Sequence, residues 1–142
     1  MPEIDLLENY PKTKRNLDER CEQKTEDIRQ VAREFGKEFF DGDRKYGYGG
    51  YRYNARFWQP VVPTFQKYYG LTEKSQILDV GCAKGFMLHD FLELIPGIKI
   101  AGIDVSSYAI KNALDDAKPF LRVGNAKAIP YPDKSFDLVI SI

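Results

Sequence analysis

The sequence has few of the residues on which metal sites, disulfide frameworks and membrane spans depend. Its 142 residues include one histidine and two cysteines, which lie far apart at Cys21 and Cys82. This spacing predicts reduced thiols, and no set of side chains has the spacing of a metal site, so no metal is expected. No apolar run approaches the roughly 20 residues that cross a bilayer, and the start is unlike a signal peptide. We therefore expect a cytoplasmic protein with no membrane partner.

The sequence also lacks an excess of either charge. The 21 basic and 21 acidic residues cancel, whereas nucleic-acid-binding domains usually carry a clear basic surplus. Nucleic acid is therefore not an expected partner. With 43% hydrophobic and 30% charged residues, the composition is typical of a globular domain that can bury a core.

What the sequence does contain is a strand, a glycine-rich turn and a helix in immediate succession. The apolar run at 77–80 leads into Gly81–Gly85, and apolar residues then recur at helical spacing over about 85–95. Such a turn lets the backbone approach a ligand closely, and the N–H groups at the start of the helix favour negative groups. The segment therefore predicts a binding site for a nucleotide-like ligand.

Further strand and helix patterns predict a parallel α/β unit. Strands are expected at about 99–103, 119–123 and 136–142, and Ser106 or Ser107 is expected to cap the helix that follows the second strand. Alternating strands and helices favour a parallel sheet with right-handed crossovers. We expect residues 71–142 to form this α/β unit.

The first 70 residues predict an attached helical cap or lid rather than a separate domain. A broken apolar stripe predicts one long helix over about 17–40, with an N-cap at Asn16. A second helical region at about 53–69 contains Pro60 and Pro63, which predict a kink or a restart. Gly70 is expected to end that region in a left-handed conformation.

Polar residues and glycines stand where the predicted parallel strands end. Asp79 and the turn follow the first strand, Asp104 follows the second, and Gly124, Asn125 and Ala126 follow the third. Because ligands bind at the carboxyl ends of such strands, these residues are candidate ligand contacts. Asp104 follows Gly85 by 19 positions, which is near the spacing at which a carboxylate reaches a ribose diol.

These motifs, with the segment from Ile129 to Val139, resemble those of the class I S-adenosylmethionine (SAM)-dependent methyltransferases, and more narrowly the small-molecule, type 11-like group. The resemblance covers about residues 75–142. It implies an α/β fold with a Rossmann-like sheet, of which about four parallel strands, the N-terminal half, are present. It also implies SAM as cofactor and S-adenosylhomocysteine (SAH) as product. The cofactor-binding residues that it implies are Asp79, Gly81, Cys82, Ala83, Gly85, Asp104, Val105, Asn125 and Ala126.

The resemblance also implies a role for most of these residues. The turn would pack against the methionine part of SAM, and Asp79 would orient the turn and, directly or through water, the amino-acid moiety. Asp104 would accept both ribose hydroxyls, and Val105 would lie against the adenine. Asn125 would accept the adenine amino group, and the Ala126 N–H would meet a ring nitrogen. Ala83 replaces the usual middle glycine of the turn. Alanine can adopt the backbone conformation of the turn if its φ stays negative.

A second candidate site is a cluster of aromatic and arginine side chains ahead of the turn. Arginine binds phosphate or carboxylate by a bidentate fork, and aromatic faces hold amines. The alternative is that the rings pack the cap onto the sheet while the arginines extend outward. The candidate substrate-binding residues are Tyr46, Tyr51, Arg52, Tyr53, Arg56 and Trp58.

The predicted function is methyl transfer to a small-molecule N or O acceptor. An amino-alcohol phosphate or a sugar nucleotide of surface polysaccharide synthesis would suit the second site. The Gly/Tyr segment at 48–52, with the sequence YGGYR, resembles methyltransferases of bacterial capsule and lipopolysaccharide pathways. No catalytic base can be assigned. The alternative is a non-catalytic SAM-binding or interaction scaffold; a nicotinamide-binding protein is less compatible with the turn, which lacks the G-x-G-x-x-G spacing.

The sequence stops after the fourth predicted strand, whereas the class I fold has seven. We therefore expect a C-terminally truncated methyltransferase that keeps its cofactor segments but has an incomplete acceptor site. The strand at 136–142 would then be an exposed edge, which predicts self-association through that strand.

Overall fold

The computed structural model describes residues 3–13 and 24–142. Within them, a helical segment precedes an alternating α/β unit, in the order predicted. The helices before the sheet are α1 (Glu26–Arg33), α2 (Lys37–Asp41), α3 (Ala55–Trp58) and α4 (Val62–Tyr69). The α/β unit consists of β1 (Gln76–Val80), α5 (Phe86–Leu94), β2 (Lys99–Asp104), α6 (Ser107–Lys111), a 3₁₀ helix (Lys118–Phe120), β3 (Leu121–Val123) and β4 (Leu138–Ile140).

The four strands form one parallel sheet in the order β3-β2-β1-β4. This confirms the predicted Rossmann-like α/β class. The chain moves outward from β1 to β3 and then crosses to the other side of β1. The strand order therefore reverses between β1 and β4, and ligands bind such sheets at the carboxyl ends flanking that point. The glycine-rich turn leaves β1 at this place.

The core lies between the sheet and the helices around it. Leu88 and Phe91 of α5 and Ile77 of β1 are fully buried. Val61 and Val62, at the start of α4, are also fully buried and belong to the same hydrophobic core. The helical segment thus shares its apolar contacts with the sheet. No helix in the described part of the chain is long and apolar enough to cross a bilayer.

The predicted long helix at 17–40 is wrong in its described part. α1 and α2 are separated by Phe35, whose φ is 47°, and by the extended Gly36. The break is held by tertiary contacts, because the Phe35 carbonyl accepts a hydrogen bond from Ser106 Oγ at 2.5 Å. Such a contact with α6 has no signal in the local pattern. The predicted N-cap Asn16 and residues 17–23 lie outside the described residues.

The other helix predictions hold with shorter bounds. The region at 53–69 is divided into α3 and α4, as its prolines predicted, and Gly70 ends α4 with φ of 62°. Ser106 caps α6 by accepting from the Ala109 N–H at 3.0 Å. The third strand is shorter than predicted because Pro119 lies in a 3₁₀ helix, and β4 is shorter than the apolar run at 136–142.

Candidate functional site

The glycine-rich turn after β1 is fixed by hydrogen bonds to β2. The N–H groups of Gly81 and Cys82 both donate to the Ile103 carbonyl, at 2.8 and 3.1 Å. The Ala83 N–H donates to Asp104 Oδ2 at 2.8 Å. Three of the five residues from 81 to 85 have positive φ: 94° at Gly81, 49° at Ala83 and 75° at Gly85. The second strand therefore determines the path of the turn.

The two glycines that bound the turn are needed for different reasons. A Cβ built on Gly85 would lie 3.0 Å from a methyl of Leu121 and 3.1 Å from Ala117, so Gly85 allows α5 to pack closely on its neighbours. A Cβ on Gly81 would meet no atom within 4 Å. Gly81 therefore leaves open space beside the turn, as a ligand approaching the backbone requires.

Ala83 does not follow the expectation that its φ would stay negative. Its φ is 49°, and an L-residue in the left-handed region carries a cost of roughly 1–2 kcal/mol. The hydrogen bond from its N–H to Asp104 holds this conformation. The sequence pattern could not show this, because the bond joins residues 21 positions apart.

We expect Ala83→Gly to stabilise the protein. Relief of the left-handed strain, less the larger entropy of glycine in the unfolded chain, predicts a gain of about 0.5–1 kcal/mol in the free energy of unfolding. Urea denaturation followed by circular dichroism measures this gain. Ala109→Gly is the control, because Ala109 lies in the helix α6 and glycine there costs about 1 kcal/mol. A loss of stability in Ala83→Gly would contradict the prediction.

Asp79 places a buried carboxylate beside the turn. Its side chain is 7% exposed, and no group of residues 3–13 or 24–142 donates a hydrogen bond to it. Burial, with a smaller contribution from the charge of Asp104, raises the pKa of Asp79 to about 7. A carboxylate without donors is costly to bury unless a partner is supplied. The position therefore suits a ligand that carries a hydrogen-bond donor or a positive charge.

Asp104 has a structural role at the end of β2. Its Oδ2 accepts from the Ala83 N–H and its Oδ1 accepts from the Ser106 N–H, both at 2.8 Å. Each carboxylate oxygen has further acceptor capacity, so two ligand hydroxyls remain compatible with these bonds. Asp104 thus joins the turn to the start of α6, which the sequence pattern did not indicate.

A cleft of about 640 Å³ opens beside the turn. This volume is in the range of cofactor and small-molecule sites. One wall is the turn with Asp79, and the other comes from the segment that precedes α3. The described residues that line the cleft are Leu7, Tyr10, Thr13, Tyr48, Gly50, Tyr51, Arg52, Asn54, Phe57, Trp58, Asp79, Gly81, Cys82, Ala83, Phe86, Met87 and Ile142.

The cleft brings together part of each predicted site. Of the predicted cofactor residues, it is lined by Asp79, Gly81, Cys82 and Ala83. Of the predicted substrate residues, it is lined by Tyr51, Arg52 and Trp58. Residues of both predicted sites therefore line one space.

The remaining cofactor candidates lie at the adjacent ends of β2 and β3. Val105 is 55% exposed. Asn125 Oδ1 accepts from the Lys127 N–H at 2.8 Å, and Ala126 is exposed in the same loop. The Gly124 N–H donates to the Asp104 carbonyl at 2.9 Å, which keeps this loop beside the end of β2. Gly85, the other remaining candidate, lies close to Leu121 and Ala117, as described above.

The remaining substrate candidates do not line the cleft, and each contacts another side chain of the protein. Tyr53 donates its hydroxyl proton to Asp90 Oδ1 at 2.6 Å, and partial burial, followed by this bond, raises the pKa of Tyr53 to about 12. The Arg56 guanidinium lies over the Phe57 ring at 4.8 Å, and the Lys45 ammonium lies over the Tyr46 ring at 4.9 Å. These contacts stabilise the loop and α3.

Cys82 lines the cleft without the properties of a nucleophile. Burial, followed by the charges of Asp79 and Asp104, raises the pKa of the Cys82 thiol well above its ordinary value. The thiol therefore stays protonated at neutral pH, and thiolate chemistry is disfavoured. Cys82 acts as a small packing residue in the turn.

Two side-chain pairs near the site were missed by sequence reasoning. Lys84 Nζ lies 2.6 Å from Asp41 Oδ2, and His89 Nδ1 lies 2.7 Å from Asp116 Oδ2. The partners are 43 and 27 positions apart. The sequence shows that Lys84 is a lysine inside a turn of small residues, but it does not show that Asp41 is its partner. Glu93 lies beside the second pair, with the three side chains offering ligand atoms within 4.8 Å of one another.

The fold and this cleft define a Rossmann-like domain with a cofactor-type site at the switch point of its sheet. The family model described as "Methyltransferase domain" matches residues 71–142, which is half of the chain. The chain therefore belongs to this methyltransferase family.

Similar proteins match only part of their own length. "Uncharacterized methyltransferase YdaC" of Bacillus subtilis (strain 168) is 33% identical over 76 residues, which are 51% of this chain and 42% of that protein. "Arginine-hydroxylase NDUFAF5, mitochondrial" of Rattus norvegicus is 31% identical over 65 residues, 45% of this chain and 19% of that protein. This chain thus spans less than half the length of either curated relative.

Two solved structures are similar to part of this chain. "Crystal structure of MccD protein" shares 27% identity, covers 55% of this chain and 37% of that chain, and has a TM-score of 0.49. "Structure of the plantazolicin methyltransferase BpumL in complex with SAH" shares 30% identity, covers 54% of this chain and 32% of that chain, and has a TM-score of 0.45.

Proposed function

We propose that this chain binds SAM and belongs to an enzyme that transfers the SAM methyl group to a small molecule. The observation that carries the proposal is Asp79: a buried carboxylate without a described donor, beside a turn with open space at Gly81. The amino group of SAM is a positively charged donor of the kind that such a carboxylate requires. Membership of the methyltransferase family supports the same cofactor.

The residues present fit the cofactor along its length. Asp79 would hold the amino group, the turn from Gly81 to Ala83 would contact the methionine part, and Asp104 has free acceptor capacity for the ribose hydroxyls. The loop at Asn125 and Ala126 would hold the adenine. When bound, SAM supplies a sulfonium that activates its methyl group, so the chain's own task is to align the acceptor and exclude water.

The residues that line the cleft outside the glycine-rich turn indicate the kind of acceptor. Arg52 is the basic side chain among the described residues that line the cleft, and it stands with the aromatic rings of Tyr10, Tyr51, Phe57 and Trp58. An exposed arginine at the rim suits a phosphate or carboxylate, and the rings suit an amine or a planar group. We propose an anionic acceptor such as an amino-alcohol phosphate or a sugar nucleotide.

Isothermal titration with SAM and with SAH tests the cofactor assignment. We expect saturable binding of both, with Kd in the span of about 1 μM to 1 mM over which enzymes commonly hold substrates. Absence of heat for both ligands, in a chain shown to be folded by circular dichroism, would contradict the proposal. Binding without methyl transfer to any acceptor tested would favour the non-catalytic SAM-binding scaffold.

We expect Arg52→Ala to lose the preference for a phosphorylated acceptor. Loss of a charge-assisted contact at an exposed position predicts a rise of about 5- to 10-fold in KM for phosphoethanolamine. Radiolabelled SAM turnover measures this rise, with ethanolamine as the acceptor that lacks the phosphate. Arg29→Ala is the matched control, because Arg29 is an exposed arginine that pairs with Glu26 in α1, and neither residue lines the cleft. An equal effect on both acceptors would contradict the assignment of Arg52.

Three other expectations remain predictions. A place in capsule or lipopolysaccharide synthesis is supported by the resemblance of the Gly/Tyr segment alone. Self-association through the strand at 136–142 is supported by the position of β4 at one edge of the described sheet, where Val139 is 55% exposed. A cytoplasmic location is likewise an expectation from the sequence.

A further inference from the structure

Lys84 is a charged residue buried within the glycine-rich turn. It is 7% exposed, yet its neighbours Cys82 and Ala83 face the cleft. Its ammonium is directed away from the turn and reaches the segment that precedes the sheet. Nζ donates to Asp41 Oδ2 at 2.6 Å and to the Tyr51 carbonyl at 2.9 Å. Burial of a lysine is tolerated only with such partners.

Asp41 gathers three donors from three parts of the chain. Its Oδ2 accepts from Lys84 Nζ and, at 2.8 Å, from the Tyr108 hydroxyl of α6. Its Oδ1 accepts from the Tyr51 N–H at 3.0 Å. Partial burial acts to raise the pKa of Asp41, but the bonds from Lys84, Tyr108 and Tyr51 outweigh it, so the pKa lies below its ordinary value. The carboxylate is therefore ionised whenever the protein is folded near neutral pH.

The segment held by this pair lines the cleft together with the turn. Gly50, Tyr51 and Arg52 all line the cleft. The Tyr51 ring stacks on Phe86, the first residue of α5, with centroids 4.6 Å apart and planes at 17°. Lys84 and Asp41 together bond both the N–H and the carbonyl of Tyr51. The ion pair thus fixes the backbone of a residue that lines the cleft, and the stacking on Phe86 fixes its ring.

We propose that Lys84 is a positioning residue, which with Asp41 fastens the segment 48–52 across the cofactor-binding turn and thereby sets cofactor affinity. The inference rests on the proposed function, since SAM and SAH are the ligands whose affinity it concerns. Lys84 does not line the cleft, so its effect is transmitted through Tyr51 and its neighbours. A buried ion pair is a weak source of stability even when it is hydrogen-bonded, so the effect of this pair on orientation is the more informative one to test.

Lys84→Met tests the proposal by two measurements. We expect Kd for SAH to rise about 5- to 10-fold, because the wall at Tyr51 is no longer fixed. We also expect faster hydrogen exchange of the Tyr51 amide without ligand, because its acceptor Asp41 loses its counter-charge. Asp41→Asn should give a similar change, and Lys84→Met with Asp41→Asn should be no worse than the weaker-binding single variant, as expected for residues that act as a unit.

Arg33→Met is the matched control. It removes an exposed ion pair of similar length, 2.8 Å between Arg33 Nη1 and Glu26 Oε1, from the same helical segment. We expect it to leave both SAH affinity and Tyr51 exchange unchanged. If Lys84→Met does not fold, Asp41→Asn and Lys84→Arg supply the same two measurements, with Lys84→Arg expected to restore part of the affinity.

The outcomes separate this inference from the proposed function. Wild-type chain that binds neither SAM nor SAH would overturn the proposed function and the affinity role of Lys84 with it. Wild-type chain that binds SAH, with an unchanged Kd in folded Lys84→Met, would overturn the inference alone. A weaker Kd accompanied by an equal loss in Arg33→Met would also overturn it, since the effect would then be general destabilisation.

Discussion

Asp79→Asn should weaken SAH binding by about 10- to 100-fold. The charged amino group of the ligand loses a charge-assisted partner that contributes about 1.5–3 kcal/mol. Asparagine retains the shape of the side chain, so the turn at Gly81–Gly85, which is held by Ile103 and Asp104, should keep its geometry. Titration calorimetry of wild type and variant at one pH gives the ratio of the two dissociation constants.

The pH dependence of binding is the sharper form of this prediction. The pKa of Asp79 is raised to about 7 in the free protein, so much of the population is protonated below that pH. A cationic ligand binds the ionised form and displaces the proton. Affinity should therefore rise with pH up to about 7, by at most about tenfold per pH unit, and level off above it. In Asp79→Asn the profile should be flat.

The stability of the ligand-free protein should fall as pH rises, whereas SAH affinity rises with pH. An acid whose folded pKa is raised binds its proton more tightly when folded, so its contribution is complete below the ordinary carboxyl pKa of 3.8. That contribution is lost as pH rises from about 4 to about 7, because the buried group must ionise. Urea denaturation across this range should show a larger loss in wild type than in Asp79→Asn, where Asp90, whose pKa is also raised, still contributes.

Asp90→Asn is the matched control for the binding profile. Asp90 is another fully buried aspartate whose pKa is raised, first by burial, but its carboxylate accepts from Tyr53 and does not line the cleft. The control should keep the rise of SAH affinity with pH. A wild-type affinity that is independent of pH between 5 and 7 would contradict the role given to Asp79.

Local sequence patterns were sufficient for the sheet and the turn. Buried parallel strands are continuous apolar runs, so β1 and β2 could be located from the runs of apolar residues along the chain. Positions where the chain must turn sharply carry glycine, so Gly70 and Gly81 were also identifiable. These features depend on neighbours along the chain, which the sequence displays directly.

The features that escaped prediction depend on contacts between distant positions. The break at Phe35 is held by a bond to Ser106, 71 residues away, and the positive φ of Ala83 is held by Asp104. The pair of Lys84 and Asp41 is another such case. In each case, the free-energy cost of a strained backbone or a buried charge is offset by a tertiary contact. The spacing of residues along the sequence does not indicate such a contact. The candidate site is built largely from such contacts.

Residue type alone does not show which of the candidate substrate residues line the cleft. Tyr51 and Tyr53 are both tyrosines two positions apart, yet Tyr51 lines the cleft and Tyr53 bonds Asp90. In extended backbone, alternate residues can share a face, but the local path between 48 and 54 is irregular. The orientation of each ring therefore depends on the packing of Phe40, Tyr48 and Phe86 around Tyr51.

Gly102→Ala should destabilise the protein by about 1–3 kcal/mol, because it adds a methyl group where three side chains already meet. A Cβ at Gly102 would lie 2.6 Å from Leu121 Cδ2, 2.8 Å from Cys82 Sγ and 2.9 Å from Leu88 Cδ1. Overpacking of this kind displaces neighbours and costs about that amount. Urea denaturation measures the free energy of unfolding.

The same substitution should also weaken SAH binding, and this links the packing of β2 to the site. Gly102 pairs in register with Asp79, and one of the atoms it would displace is the sulfur of Cys82 in the turn. Gly36→Ala is the matched control, since a Cβ at Gly36 would meet no atom within 4 Å and Gly36 does not line the cleft. Equal stability and equal SAH affinity in the two variants would contradict this account, whereas a defect confined to Gly102→Ala would show that the cofactor-binding turn takes its position from the strand behind it.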